Sequence, residues 1–239
     1  MPFSPVLDIK MLEQPDDVTC GPTSLQAVYQ YFGDPVQLEE VIGSVENLEE
    51  GGTLAVFLGL DALRRGFQAQ IYSYNLKILD PSWDLLPNET LILKLKDQLR
   101  YKTGKKFKAT TDAYIAFLEA GGSFLFEDLT HELLRRYFDR RLPILAGLSA
   151  TYLYACTREY TNHLDQSVYD DLKGEPMGHF VVLCGFENGS VIVADPYKRN
   201  PLTGQSYYKV GLNRLVNAIM LGVVTYDANL LMISPLSSP

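Results

Sequence analysis

Apolar side chains at Leu25, Val28, Tyr29 and Phe32 recur at helical spacing, and Pro22 suits a first helical position. Gly33-Asp34-Pro35 ends the run, so the pattern predicts a helix over 21–32. The same periodicity predicts helices near 37–48, 53–65, 88–101, 111–120, 128–140 and 211–220, several with Asn, Thr or Asp at the cap and Gly at the stop. Apolar runs bounded by Pro, Gly and Asn predict strands at 67–74, 142–149, 180–186, 191–194, 206–210 and 223–233. Helices dominate the front half and strands the back half, which defines an α+β architecture with an antiparallel sheet. No internal repeat or low-complexity linker divides the chain, so 1–239 is expected to form one domain.

Two of these segments carry chemistry. Cys20-Gly21-Pro22 places a cysteine at the first turn of the first helix, where backbone N–H groups converge and favour the nucleophilic thiolate. A thiolate still needs a base. His179 opens the apolar run Phe180–Phe186, and Asn188-Gly189 supplies a hairpin turn into Val191–Ala194, which ends in Asp195-Pro196. Antiparallel pairing of the two runs returns Asp195 to the start of the first, beside His179. A carboxylate holding one ring nitrogen fixes the tautomer and turns the other nitrogen toward the thiol, the logic of a nucleophile, base and orienter. Each residue also has a plainer role open to it. Cys20 could be a small buried hydrophobe, His179 a strand-end histidine and Asp195 a turn former before Pro196.

With a Gln six residues before the cysteine (Gln14), the order Gln14, Cys20-Gly21, His179, Asp195-Pro196 resembles the papain-like peptidases that process double-glycine leader peptides of bacteriocins. The resemblance rests on about residues 10 to 35 and 176 to 197. It implies a papain-like fold with the cysteine helix packed on the sheet, Cys20 as nucleophile, His179 as general base and acid, Asp195 as orienter and Gln14 as oxyanion-hole donor. It also implies a peptide or protein substrate. The chain between Cys20 and His179 is much longer than in the leader peptidases. No long apolar run or phosphate-binding loop marks an attached exporter, so a free-standing member is expected. Two other readings share these residues: an acyltransferase or transpeptidase in which an amine accepts the acyl group, and an inactive peptide-binding relative.

The remaining stretch, 76–140, is expected to be a helical insertion or cap, with Trp83, Tyr101, Phe107, Tyr114 and Phe117 as its aromatic core. The run 152–160 reads as a strand end entering a long loop that shapes substrate access. Composition narrows the classes further. Of 239 residues 46% are hydrophobic and 21% charged, enough for a sizeable core. A net charge of -8 and a pI near 4.9 argue against a nucleic-acid surface, and the basic run Arg100–Lys108 reads as a solvated loop. Cys156 and Cys184 stand far apart and form no metal or redox spacing with Cys20, so neither a metal nor another cofactor is expected. Cys184 reads as strand packing, His131 as a solvated helix residue and His163 as part of a surface loop. Acidic residues break the first twenty positions, so no signal peptide is evident, and three sparse cysteines fit a reducing compartment, the cytoplasm.

Overall fold

The computed structural model describes residues 6–48, 51–162 and 167–236. Three helices come first, α1 (Cys20–Tyr31), α2 (Leu38–Ser44) and α3 (Ala55–Arg64), followed by strand β1 (Phe67–Ser73). Segment 76–140 then contributes a 3₁₀ turn at Pro81–Trp83, helices α4 (Asn88–Gln98) and α5 (Lys105–Glu119), strand β2 (Ser123–Leu125) and helix α6 (His131–Phe138). Strand β3 (Ile144–Ser149), the short helix α7 (Ala150–Tyr154) and the small strands β4 (Glu159–Thr161) and β5 (Ser167–Tyr169) lead into β6 (Gly178–Glu187). The chain closes with β7 (Ser190–Ala194), β8 (Tyr207–Gly211), α8 (Leu212–Leu221), a 3₁₀ turn at Gly222–Thr225 and β9 (Asn229–Pro235). The class is α+β, as the pattern predicts.

Seven strands form one sheet in the order β2-β1-β9-β3-β6-β7-β8, antiparallel throughout except for the β1–β2 pair. The central strands are covered on both faces, since β3 is buried along its whole length and β6 is buried from His179 to Gly185. Alternating side chains point to opposite sides, so continuous burial requires a layer on each. Helix α1 lies against β6, where the Ser24 hydroxyl donates to the Phe180 carbonyl at 3.2 Å. Helix α3 packs on β1, α5 packs on α3, and α8 packs on β3.

Several elements differ from the sequence expectation, each for a local reason. The basic run is exposed through Gly104, but Lys105 already opens α5, because Phe107, Thr110 and Thr111 bury one face of it. Phe107, Tyr114 and Phe117 are core residues, and Tyr114 stacks on Phe124 with ring centroids 4.8 Å apart. Tyr101 is exposed. Residues 150–154 form a helical turn rather than a strand end, because Ser149 Oγ caps it at the Tyr152 N–H and Ala155 stops it in a left-handed conformation. The last strand starts at Asn229, not 223, since Tyr226 at φ 71 breaks the backbone and the Asp227 N–H closes a turn onto the Gly222 carbonyl. His131 is partly exposed, yet its ring packs on Phe186 with centroids 4.3 Å apart. His163 lies outside the described residues.

Candidate active site

Cys20 is the first residue of α1, as the helix pattern predicts. Neither a capping side chain nor an acidic first turn competes for the N–H groups there, so the positive end of the helix dipole faces the sulfur. The helix is seated tightly. A Cβ on Gly21 would fall 2.4 Å from Thr53 Cγ2, and the Ser24 contact to β6 lies one turn beyond Cys20. Phe180 follows His179 directly, so this one hydrogen bond fixes the sulfur's height relative to the imidazole.

The β6–β7 hairpin delivers the other two groups. Asn188 and Gly189 both take left-handed backbones, φ 51 and 79, the geometry of a type I′ turn. Pairing of Val182 with Ala194 brings Asp195 back toward the start of β6, with a bulge at Cys184, which is buried as packing. His179 Nε2 lies 2.9 Å from Asp195 Oδ1, which leaves Nδ1 for Cys20, whose sulfur acts on the ring electrostatically. The other Asp195 oxygen accepts from two hydroxyls, Tyr154 at 2.8 Å and Tyr208 at 2.6 Å, while Oδ1 also accepts the Tyr197 N–H at 2.8 Å. Asp195 therefore both holds the imidazole and closes a turn, fully buried with its lone pairs filled.

Electrostatics follow from this packing. Burial alone disfavours a charged His179, yet the Asp195 carboxylate and the Cys20 sulfur outweigh it and raise the imidazole to about 10. Burial likewise pushes Asp195 upward, but the His179 charge and the hydrogen bonds from His179, Tyr208 and Tyr154 hold it below the ordinary carboxylate range. Burial raises Cys156 and drives Cys184 up to about 12.

Gln14 is tied to this end of the hairpin by its backbone, its N–H donating to the Pro196 carbonyl at 3.0 Å. Its amide Nε2 donates to the Asp16 carbonyl at 2.7 Å, and its Oε1 is buried without a partner. Two cavities flank His179. One, of about 210 Å³, is bordered by Gln14, Tyr154 and Tyr197; the other, of about 510 Å³, is bordered by Cys20, Phe180, Thr225 and Asp227. The structure thus gathers Cys20, His179 and Asp195 and sets Gln14 at the border of the smaller cavity beside His179. None of the five aromatic residues expected for the insertion lines the cavity beside Cys20. Among the described residues no cluster of three or more His, Cys, Asp or Glu could hold a metal ion, and no helix is long and apolar enough to cross a membrane.

The model of the Peptidase_C39 like family matches residues 6–217, which span every group just described from Gln14 to Asp195. The chain belongs to this family. Three solved structures are similar at low identity. A double glycine motif protease from an AMS/PCAT transporter, in complex with a leader peptide, is 15% identical, covering 97% of this chain and 94% of that one at a TM-score of 0.46. A C39-like peptidase from Bacillus anthracis is 15% identical, with 98% of each chain covered and a TM-score of 0.47. The peptidase domain of Streptococcus ComA is 13% identical, with 95% and 99% covered and a TM-score of 0.47. A comparison with curated proteins finds no match.

Within this C39-like chain, the sequence reading missed Tyr154, Tyr208 and Asp227 as neighbours of the site. Tyr208 had a usable signal, because β8 continues the meander after β7 and the Asp195 N–H donates to the Ser206 carbonyl at 2.7 Å. Tyr154 and Asp227 reach the site only through tertiary packing, 41 and 32 positions from Asp195.

Proposed function

We propose that the protein is a cysteine peptidase acting through Cys20, His179 and Asp195. The observation that carries this reading is the buried pair in which Asp195 holds His179 Nε2 at 2.9 Å while the Cys20 sulfur at the start of α1 acts on the same ring. A cationic imidazole beside the sulfur at a helix N-terminus favours the thiolate. Cys20 Sγ then attacks the amide carbon, a C–S bond forms, and the carbonyl π electrons move to oxygen. The Cys20 N–H and the second N–H of the Gln14 amide hold that oxyanion. Collapse breaks the C–N bond, and His179 gives its proton to the departing amine. Neutral His179 next takes a proton from water, which attacks the thioester and releases the acid and the thiolate. Asp195 keeps the ring oriented and remains ionised. The whole chain works as one catalytic unit, with 76–140 as an accessory layer, in the cytoplasm and on peptide or protein substrates.

The test is intact-mass analysis after iodoacetamide treatment at pH 7, then incubation with a peptide library containing Gly-Gly sites. Single modification at Cys20, at least a hundredfold faster than at Cys156 or Cys184, with cleaved peptides that disappear in Cys20→Ala, is the expected result. Equal sluggishness of all three thiols would overturn the reading.

A further inference from the structure

The cavity of about 510 Å³ beside Cys20 and His179 has a floor that the proposed chemistry leaves unused. Asp227 forms it, only 6% exposed, at the break between α8 and β9. Buried carboxylates are ordinarily paired, because an isolated charge out of water is costly. Asp227 is not. Among the described residues no ion pair holds it, and Lys106 and His179 act on it through their charge. Its side-chain partner is Thr225, whose hydroxyl has a single proton and also lies 3.1 Å from the Gly222 carbonyl. Among the described residues that hydroxyl is the side-chain donor the carboxyl has.

The backbone around it is carved to keep this group in place. A Cβ on Gly178 would fall 1.9 Å from Asp227 Oδ2, one on Gly147 would fall 2.3 Å from the Asp227 carbonyl oxygen, and one on Gly222 would fall 3.1 Å from its carbonyl carbon. Gly178 adjoins His179 and also lines the cavity, so the missing side chain there opens a passage from the imidazole to the carboxyl. The charge of the walls points the same way. Among the described residues Asp17, Glu159, Glu175 and Asp227 border the cavity, against Lys106 of α5 and the His179 imidazole. An opening lined in this way attracts a cation and repels an anion.

We infer that this cavity is a substrate pocket in which Asp227 receives the ammonium or guanidinium group of a Lys or Arg side chain close to the bond attacked by Cys20. The inference rests on the peptidase reading for its orientation toward Cys20. A buried carboxylate that gains such a partner forms a charge-assisted hydrogen bond, whereas an apolar side chain of equal length leaves it unpaired. Discrimination between lysine and norleucine is therefore a property of this pocket rather than of the thiol. Burial raises the Asp227 carboxyl to about 7 in the empty pocket, so preference for the cation grows as pH rises from 6 to 8.

The experiment uses chloroacetyl-lysine amide, chloroacetyl-norleucine amide and chloroacetyl-glutamate amide on the full chain and on Asp227→Asn. Alkylation of Cys20 is read by intact mass, with each rate divided by that for iodoacetamide on the same variant. In the unmodified protein the lysine probe is expected to react at least tenfold faster than the norleucine probe at pH 8, and the glutamate probe slowest. The ratio is expected to fall toward one at pH 6, and at every pH in Asp227→Asn. A lysine-to-norleucine ratio near one, or one that Asp227→Asn leaves unchanged, overturns the pocket. Failure of iodoacetamide to select Cys20 overturns the peptidase reading instead. In that event calorimetric binding of acetyl-lysine amide against acetyl-norleucine amide to Cys20→Ala, with and without Asp227→Asn, decides the pocket on its own. Tighter lysine binding that is lost with Asp227→Asn supports it, and equal binding overturns it.

Discussion

Asp195 shows how a single residue's environment sets what it can do. A carboxylate with no exposed surface stays charged only if its lone pairs are filled, and here a ring nitrogen, a backbone N–H and two phenols fill them. Tyr154→Phe or Tyr208→Phe removes one donor without changing side-chain shape. Each is expected to cost about 1.5–3 kcal/mol in denaturant unfolding, the range for a hydrogen bond to a charged group. Each is also expected to shift the acid limb of Cys20 alkylation to higher pH, because Asp195 then takes up a proton more readily. An acid limb identical to that of the unmodified protein would assign these phenols to packing alone. At this scale the sequence exposed Cys20, His179 and Asp195, whose positions follow from a helix start and a short hairpin. It could not expose Tyr154 or Asp227, because no local periodicity connects residues so distant along the chain.

Elements place these residues, and the hairpin is the one with least slack. A one-residue slip between β6 and β7 would turn the side chains that follow Ala194 to the opposite face of the sheet. The register is held by Asn188-Gly189, both left-handed, and Gly189 at φ 79 is the position where a side chain strains the backbone. Gly189→Ala is expected to lower stability by about 1–2 kcal/mol, the cost of a left-handed backbone for an L-residue. It is also expected to slow Cys20 alkylation through loosened His179–Asp195 contact; a full stability loss with unchanged alkylation would detach the turn from the site. Helix α1 is seated by contacts along its own length. Ser24→Ala, which leaves the Phe180 carbonyl without its side-chain donor, is expected to cost about 0.5–1.5 kcal/mol and to reduce alkylation modestly. The hairpin and α1 were legible because turn chemistry and helical spacing are local signals. The short helix α7, strands β4 and β5, and the late start of β9 were not, since capping by Ser149 and the break at Tyr226 depend on side chains and backbone angles rather than on hydrophobic period.

The whole molecule couples the charges of His179 and Asp195 to its stability. His179 titrates near 10 when folded against 6.5 when unfolded, so the folded state binds its proton more tightly. The resulting stabilisation is complete below about pH 6.5 and is lost as pH rises toward 10. Asp195 runs the opposite way: its lowered value contributes above the ordinary carboxylate range and is lost on acidification. Denaturant stability measured against His179→Gln is therefore expected to differ most near pH 6 and to converge by pH 10; a constant gap across that range would remove the ion-pair assignment. The sequence by itself determined the α+β class, most of the helices and strands, and the pairing of His179 with Asp195, because each depends on residues close along the chain or on a turn of known geometry. The sheet order β2-β1-β9-β3-β6-β7-β8 was decided only by tertiary structure, as were the phenols around Asp195 and the buried carboxyl of Asp227 beneath Gly178. Those features arise where strands distant in sequence close over one another, and such contacts are selected by the packing of the whole core rather than by any local pattern.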